Sequence, residues 1–142
     1  MPSRELINPP NIHESPGYSH IAVTDAKKMI FLAGQVALDE DFKLIGGDDL
    51  YLQTRATVAN AVRALEAAGA TWDDILRRTI YTTQPLEWDT MTRAIVDETG
   101  ETDHPPQTVA GVAGLGLEEL LLRGRRRRGH VEIEQNSLLD FD

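Results

Sequence analysis

At 142 residues and 41% apolar composition, the chain is long enough to bury a core and too apolar to stay disordered. It has no cysteine, which excludes disulfides, thiolate metal ligands and a cysteine nucleophile. A net charge of −9 argues against non-specific nucleic-acid binding by the chain as a whole.

The length suits one domain over residues 1–142. No apolar run approaches the roughly 20 residues of a membrane helix, and Met1-Pro-Ser-Arg-Glu5 lacks an apolar signal core, so a cytoplasmic location is expected. Residues 1–17 carry four of the seven prolines and read as an irregular arm. Tyr18–Thr24 alternates as a strand, Asp25–Lys28 is a turn, and residues 29–37 are a second strand ending near Gly34-Gln35. The two read as a hairpin. Residues 39–49 form an acidic loop, in which Asp48 or Asp49 can cap the helix predicted over 50–68. Its apolar stripe is Leu52, Ala56, Ala59, Val62 and Leu65, with Val58, Ala61 and Ala68 nearby and Gly69 as the C-terminal stop.

Thr71–Asp74 reads as a short capped turn. Ile75–Thr83 is a third strand interrupted by Pro85. Leu86–Glu98 is a second helix, with Trp88, Met91 and Ile95 at helical spacing and Gly100 as its stop. His104-Pro-Pro-Gln107 is an extended lead-in to a small-residue strand over Thr108–Leu115. Arg123–His130 is a basic, Gly-bounded run, and Val131–Gln135 alternates as the last strand. The order β-β-α-β-α-β-β predicts an α+β fold, one sheet with both helices on one face. The other face then needs a partner, so an oligomer is expected.

There is no phosphate loop, dinucleotide fingerprint, HExxH or Gly-x-Ser-x-Gly. His13, His20, His104 and His130 do not cluster at metal-ligand spacing, so no metal site is expected. Glu132 and Glu134 share one strand face, as do Tyr18 and His20. Each pair is either a solvated face or a source of one group turned into a cleft. Five of the 14 basic residues lie within Arg123–Arg128; without them the chain stands at −14. Such a run is either a solvated loop or an anion-binding patch.

Together the landmarks Pro16-Gly-Tyr18-Ser, Phe31-Leu-Ala-Gly-Gln35, Gln53-Thr-Arg with Asn60 and Leu65-Glu-Ala-Ala-Gly69, Asp74-Ile-Leu with Tyr81, His104-Pro-Pro106 and Val131-Glu-Ile-Glu134 resemble the RidA (YjgF) family. They span about residues 15–135 in the family's order. The resemblance implies a chorismate-mutase-like fold and a homotrimer with a barrel-like core and intersubunit clefts. In the deaminating branch it implies cofactor-free hydrolysis of reactive imines and enamines. Carried over, the cleft tyrosine is Tyr18, the Gly-Gln is Gly34-Gln35 and the water-positioning glutamate is Glu132.

The departures are specific. Gln107 stands where that branch has its carboxylate-binding arginine, Ala33 where a serine often precedes Gly-Gln, His20 where a glutamine follows Tyr-Ser, and Thr92 where the second helix carries asparagine. A charge-assisted contact contributes about 1.5–3 kcal/mol against about 1 for a neutral one, so Gln107 cannot replace the arginine for small 2-imino acids without loss. The expected function is deamination of another imine or enamine, with Glu132, Tyr18 and His20 as catalytic groups and Ala33, Gly34, Gln107 and Thr92 as the ligand's lining. Arg123, from the inserted run 123–130, is a candidate for the missing positive charge. A non-catalytic ligand-binding trimer, and RNA or anion binding through the arginine run, are the alternatives.

Overall fold

The computed structural model describes residues 4–100 and 102–115, and the strand 131–139 through its backbone and the Ile133 side chain. The strands are β1 (Glu5–Ile7), β2 (Ile21–Val23), β3 (Lys28–Phe31), β4 (Ile75–Thr82), β5 (Gln107–Gly111) and β6 (Val131–Leu139). The helices are α1 (Leu50–Ala67) and α2 (Trp88–Thr99), and a 3₁₀ turn at Trp72–Asp74 precedes β4. The α+β class is as expected. The strands, however, form two ladders rather than one sheet: a four-stranded sheet ordered β3-β6-β4-β5 and a separate β1-β2 pair.

The expected hairpin is therefore replaced. β2 pairs antiparallel with β1, whose Glu5–Ile7 comes from the arm read as irregular. β3 pairs antiparallel with β6 instead. Alternation marks a segment as a strand but does not choose its partner. Residues 29–37 do not continue as one strand: β3 ends at Phe31, and Gln35 then makes an isolated bridge to Ile133. β5 stops at Gly111, where an added Cβ would lie 2.8 Å from the Pro85 ring. β4 and β5 run parallel because α2 carries the chain back between them, while β4 and β6 are antiparallel.

The core lies between the two helices and the sheet. Val58, Ala61 and Leu65 of α1 and Met91 and Ile95 of α2 meet Ile80 and Ile133, all at 1% exposure or less. The buried face of α1 differs from the apolar stripe predicted. It runs Leu50, Gln53, Thr54, Thr57, Val58, Ala61, Leu65, while Leu52 is 49% exposed. Three of those positions are polar, which hid the core-facing side of the helix. The Thr54 hydroxyl donates to the Leu50 carbonyl (2.7 Å), and Gln53 donates to the Gly47 carbonyl. Trp88 lies at the exposed start of α2, so its helical spacing does not mark core.

The helix ends follow from local chemistry. The Asp49 carboxylate accepts from the Leu52 N–H (2.9 Å). At the other end Gly69, with φ +80°, and Ala70 donate their N–H groups to the carbonyls of Glu66 (3.0 Å) and Leu65 (2.8 Å), a Schellman closure that favours glycine. Arg55 of α1 pairs with Glu98 of α2 at 3.0 Å, and Tyr51 donates to Asp97 (2.5 Å), which joins the helices along their outer edge.

Asp49→Ala is expected to lower folding stability by about 1 kcal/mol, and Asp48→Ala by much less, because Asp49 makes the cap. Urea denaturation of the two variants measures this, and equal losses would contradict the assignment.

Candidate functional site

A cleft of about 580 Å³ opens between the N-terminal arm and the segment leading into β5, with Asn8, His13, Gly17, Tyr18, Thr102 and His104 among its walls. Its shape depends on a few polar ties. The Asn8 carboxamide oxygen accepts from the His20 N–H (2.9 Å), which folds the arm back on the start of β2. Ser19 N–H donates to the Pro105 carbonyl (3.3 Å), which joins the arm to the β5 lead-in. Arg4, 8% exposed, donates to the Ile75 carbonyl and, at 2.6 Å, to the Asp103 carbonyl. Gly17 has φ +76°, and a Cβ there would approach Thr92 Cγ2 to 2.6 Å, so the turn before Tyr18 needs glycine.

Tyr18, His13 and His20 meet in this region. The Tyr18 hydroxyl lies 2.8 Å from His13 Nε2, and His20 Nε2 lies 2.8 Å from the His13 carbonyl. A carbonyl only accepts, so His20 Nε2 carries the hydrogen, and in the neutral ring Nδ1 remains an acceptor. The His13 and His20 rings stand edge to face at 4.8 Å, and those of Tyr18 and His20 at 5.7 Å. This array holds a hydroxyl on one imidazole and packs a second imidazole against both rings.

Behind the cleft wall lies Arg78 of β4, 1% exposed. Its Nε donates to the Gln107 carboxamide oxygen (2.6 Å) and its Nη2 to the Gly17 carbonyl (3.1 Å). The guanidinium carbon stands 5.8 Å from the centre of the Trp72 ring. Burial lowers its pKa to about 9, assisted by the charge of Arg4, and it remains protonated at neutral pH. Burial, then the charges of Arg78 and Arg4, depress His104 to about 4 against the opposing pull of Asp103.

The expected site residues divide into two groups. Tyr18 and His20 lie together, Thr92 stands against Gly17, and Gln107 is bonded to Arg78. The Thr92 hydroxyl, however, donates to the Trp88 carbonyl (2.9 Å) within its own helix. Ala33 and Gly34 are exposed and lie beyond β6, held where Gln35 bridges Ile133 and where Asn60 of α1 donates to the Val36 and Leu38 carbonyls, each at 2.9 Å. With β6 and β4 between them, Gly34 and Gln107 are separated by three strand spacings, about 14 Å. One copy of the chain does not unite the two groups. Glu132 stands opposite Tyr81 in the β6–β4 register; its side chain, like Arg123 and the run 123–130, lies outside the described residues.

Two residues were missed from the sequence. His13 carried no motif, and its role depends on the fold of the arm. Arg78 had a signal: it shares the inward parity of Ile80 and Thr82, all three buried. A register shift between Ile75 and Arg77 breaks that parity toward the strand's start and masks it.

The family model described as endoribonuclease L-PSP matches residues 11–122. The chain belongs to this family, which includes the RidA proteins. A RutC family protein of Pyrococcus horikoshii is 28% identical over 96 residues, 68% of this chain and 75% of its own. A crystal structure of a Rid-family protein of unknown function from Yersinia pestis superposes with a TM-score of 0.83 at 29% identity, covering 96% of this chain and 99% of that one. TdcF of E. coli with bound serine shares the fold at 22% identity and a TM-score of 0.62, over 82% and 85% of the two chains. The RidA fold thus accounts for the paired helices over the sheet. Among the described residues no helix is long and apolar enough to cross a membrane.

The depressed pKa of His104 makes stability depend on pH. Its ordinary value is about 6.5, so between pH 6.5 and 4 the unfolded chain binds the proton that the folded one refuses. Its contribution is complete above pH 6.5 and is lost as the pH falls toward 4. Urea midpoints from pH 7.5 to 4.5 are expected to fall more steeply for the wild type than for His104→Gln. Parallel profiles would contradict a buried neutral His104.

Proposed function

We propose that the protein hydrolyses a reactive imine or enamine derived from an amino acid, releasing ammonia without a cofactor. The observation that carries this reading is the Tyr18–His13–His20 array beside a small polar cleft. Membership of the RidA family supports it, and so does a fold neighbour that binds serine, a molecule of the right size and polarity. In the first step water adds to the imine carbon: the C–O bond forms and the π pair moves to nitrogen, which takes up a proton. The carbinolamine then loses ammonia as the C–N bond breaks and the C=O bond forms. Tyr18, with His13 and His20, relays these protons.

The working assembly is a homotrimer on this reading. Met29 and Phe31, 61% and 68% exposed, leave an apolar edge of the sheet uncovered, and Ala33 and Gly34 stand too far from Gln107 to act with it inside one copy. Glu132 is the proposed water-positioning group, and a second copy would bring the Gly34 region to the Tyr18 cleft.

Ammonia release from freshly generated 2-iminopropanoate and from an enamine panel tests the activity. The wild type is expected to exceed a no-protein control on at least one substrate. Tyr18→Phe and His13→Ala are each expected to lose roughly 10²-fold or more, the usual contribution of a positioned proton donor. No release on any substrate would favour a non-catalytic binding protein, and unchanged rates in both variants would remove the array from the chemistry.

A further inference from the structure

We propose that Asn8 is a ligand-contacting residue of this cleft, its carboxamide nitrogen donating to the oxygen that water leaves on the reacting carbon. That oxygen is the hydroxyl of the carbinolamine and then the carbonyl of the product. This rests on the reading of the cleft as the substrate site and adds a residue to it.

The sequence holds Asn8 in place. It follows β1 directly and precedes Pro9-Pro10. A residue before proline is confined to extended backbone, and each proline fixes its own φ. The carboxamide therefore projects from a stiff stretch, and Asn8 lines the cleft.

The hydrogen bonds fix which end of the carboxamide is free. The His20 N–H, 2.9 Å away, can only donate, so the atom that faces it is the oxygen. The Ser15 hydroxyl donates to the same oxygen at 3.3 Å. The nitrogen carries two hydrogens and has no acceptor among the described residues.

Neighbouring donors are committed elsewhere. The His20 N–H and the Ser15 hydroxyl are spent on Asn8 itself, and His20 Nε2 on the His13 carbonyl. The Tyr18 hydroxyl is engaged with His13 Nε2. On the other wall Thr102 Oγ1 and His104 Nδ1 are closed to solvent, and the carboxylates of Glu14 and Asp103 only accept. The Asn8 amide is thus an uncommitted donor on the arm side of the cleft. It adjoins His20, whose ring packs against those of Tyr18 and His13. A neutral amide suits this oxygen, which is uncharged both as hydroxyl and as carbonyl.

The test pairs pyruvamide, which carries a keto oxygen, with isobutyramide, which has a methyl group in its place; both are neutral. Affinities are read by NMR titration of the full chain. The wild type is expected to bind pyruvamide roughly 5-fold more tightly, the usual margin of one neutral hydrogen bond. Asn8→Asp keeps the oxygen that accepts from His20 and Ser15 and removes both donor hydrogens. It is expected to lose that preference. A merely structural Asn8 would shift both affinities together and keep their ratio, and the added charge acts alike on two neutral ligands.

In the unmodified protein, the side-chain NH2 pair of Asn8 is expected to shift with pyruvamide and to hold its position with isobutyramide. That reading does not depend on any variant folding. Failure of the wild type to bind pyruvamide, equal affinity for the two ligands, a ratio kept in Asn8→Asp, or an NH2 pair unmoved at saturation would each overturn the proposal. Selective pyruvamide binding through Asn8 in a protein that releases no ammonia would uphold Asn8 as the donor to a keto oxygen and remove only the deaminase reading.

Discussion

The buried guanidinium of Arg78 joins parts of the chain that are otherwise distant in sequence. It reaches β5 through Gln107, the arm through the Gly17 carbonyl, and the 3₁₀ turn through the face of Trp72. The backbone N–H of Arg78 donates to the Pro106 carbonyl as well (3.0 Å), so both main chain and side chain fix the start of β5. A group held this firmly at 1% exposure would ordinarily be paired with a carboxylate. Here its partners among the described residues are neutral oxygens.

That constraint links fold and chemistry. The arm can form one wall of the cleft because Arg4, Asn8 and Ser19 tie it to β4 and to the β5 lead-in. The same ties bring His13 against Tyr18. Burial, and then the charges of Arg78 and Arg4, hold the His104 imidazole well below its ordinary value. Tyr18, His13 and His20 lie on the arm side of this region and Arg78 on the sheet side.

Much of this was legible in the sequence, for physical reasons. Helices α1 and α2 were readable from period and stop signals, because Asp49, Gly69 and Gly100 act locally. The Tyr18 and His20 rings do lie 5.7 Å apart, but in the turn before β2, which starts only at Ile21, and not on one face of the expected strand. The partner of β2 was not readable, since pairing is a tertiary choice and β1 is three residues long. The polar half of the α1 core face was hidden because Gln53 and Thr54 are satisfied by carbonyls that only the fold brings near. The change at Gln107 was visible as the loss of an arginine. The bond from Arg78 to Gln107 was harder to see, because Arg78 comes from a neighbouring strand and a register shift disguises its inward position.

The divided placement of Gly34 and Gln107 gives the sheet's uncovered face a purpose on the trimer reading. Substrate would then be held beside Tyr18 of one copy and covered by the Gly-Gln segment of another. A crystal structure of the protein soaked with pyruvate tests this account most directly. The account predicts the carbonyl carbon facing Tyr18 and Gly34 of a second copy closing the site. Pyruvate held away from Tyr18, or a cleft with no second copy over it, would contradict the account.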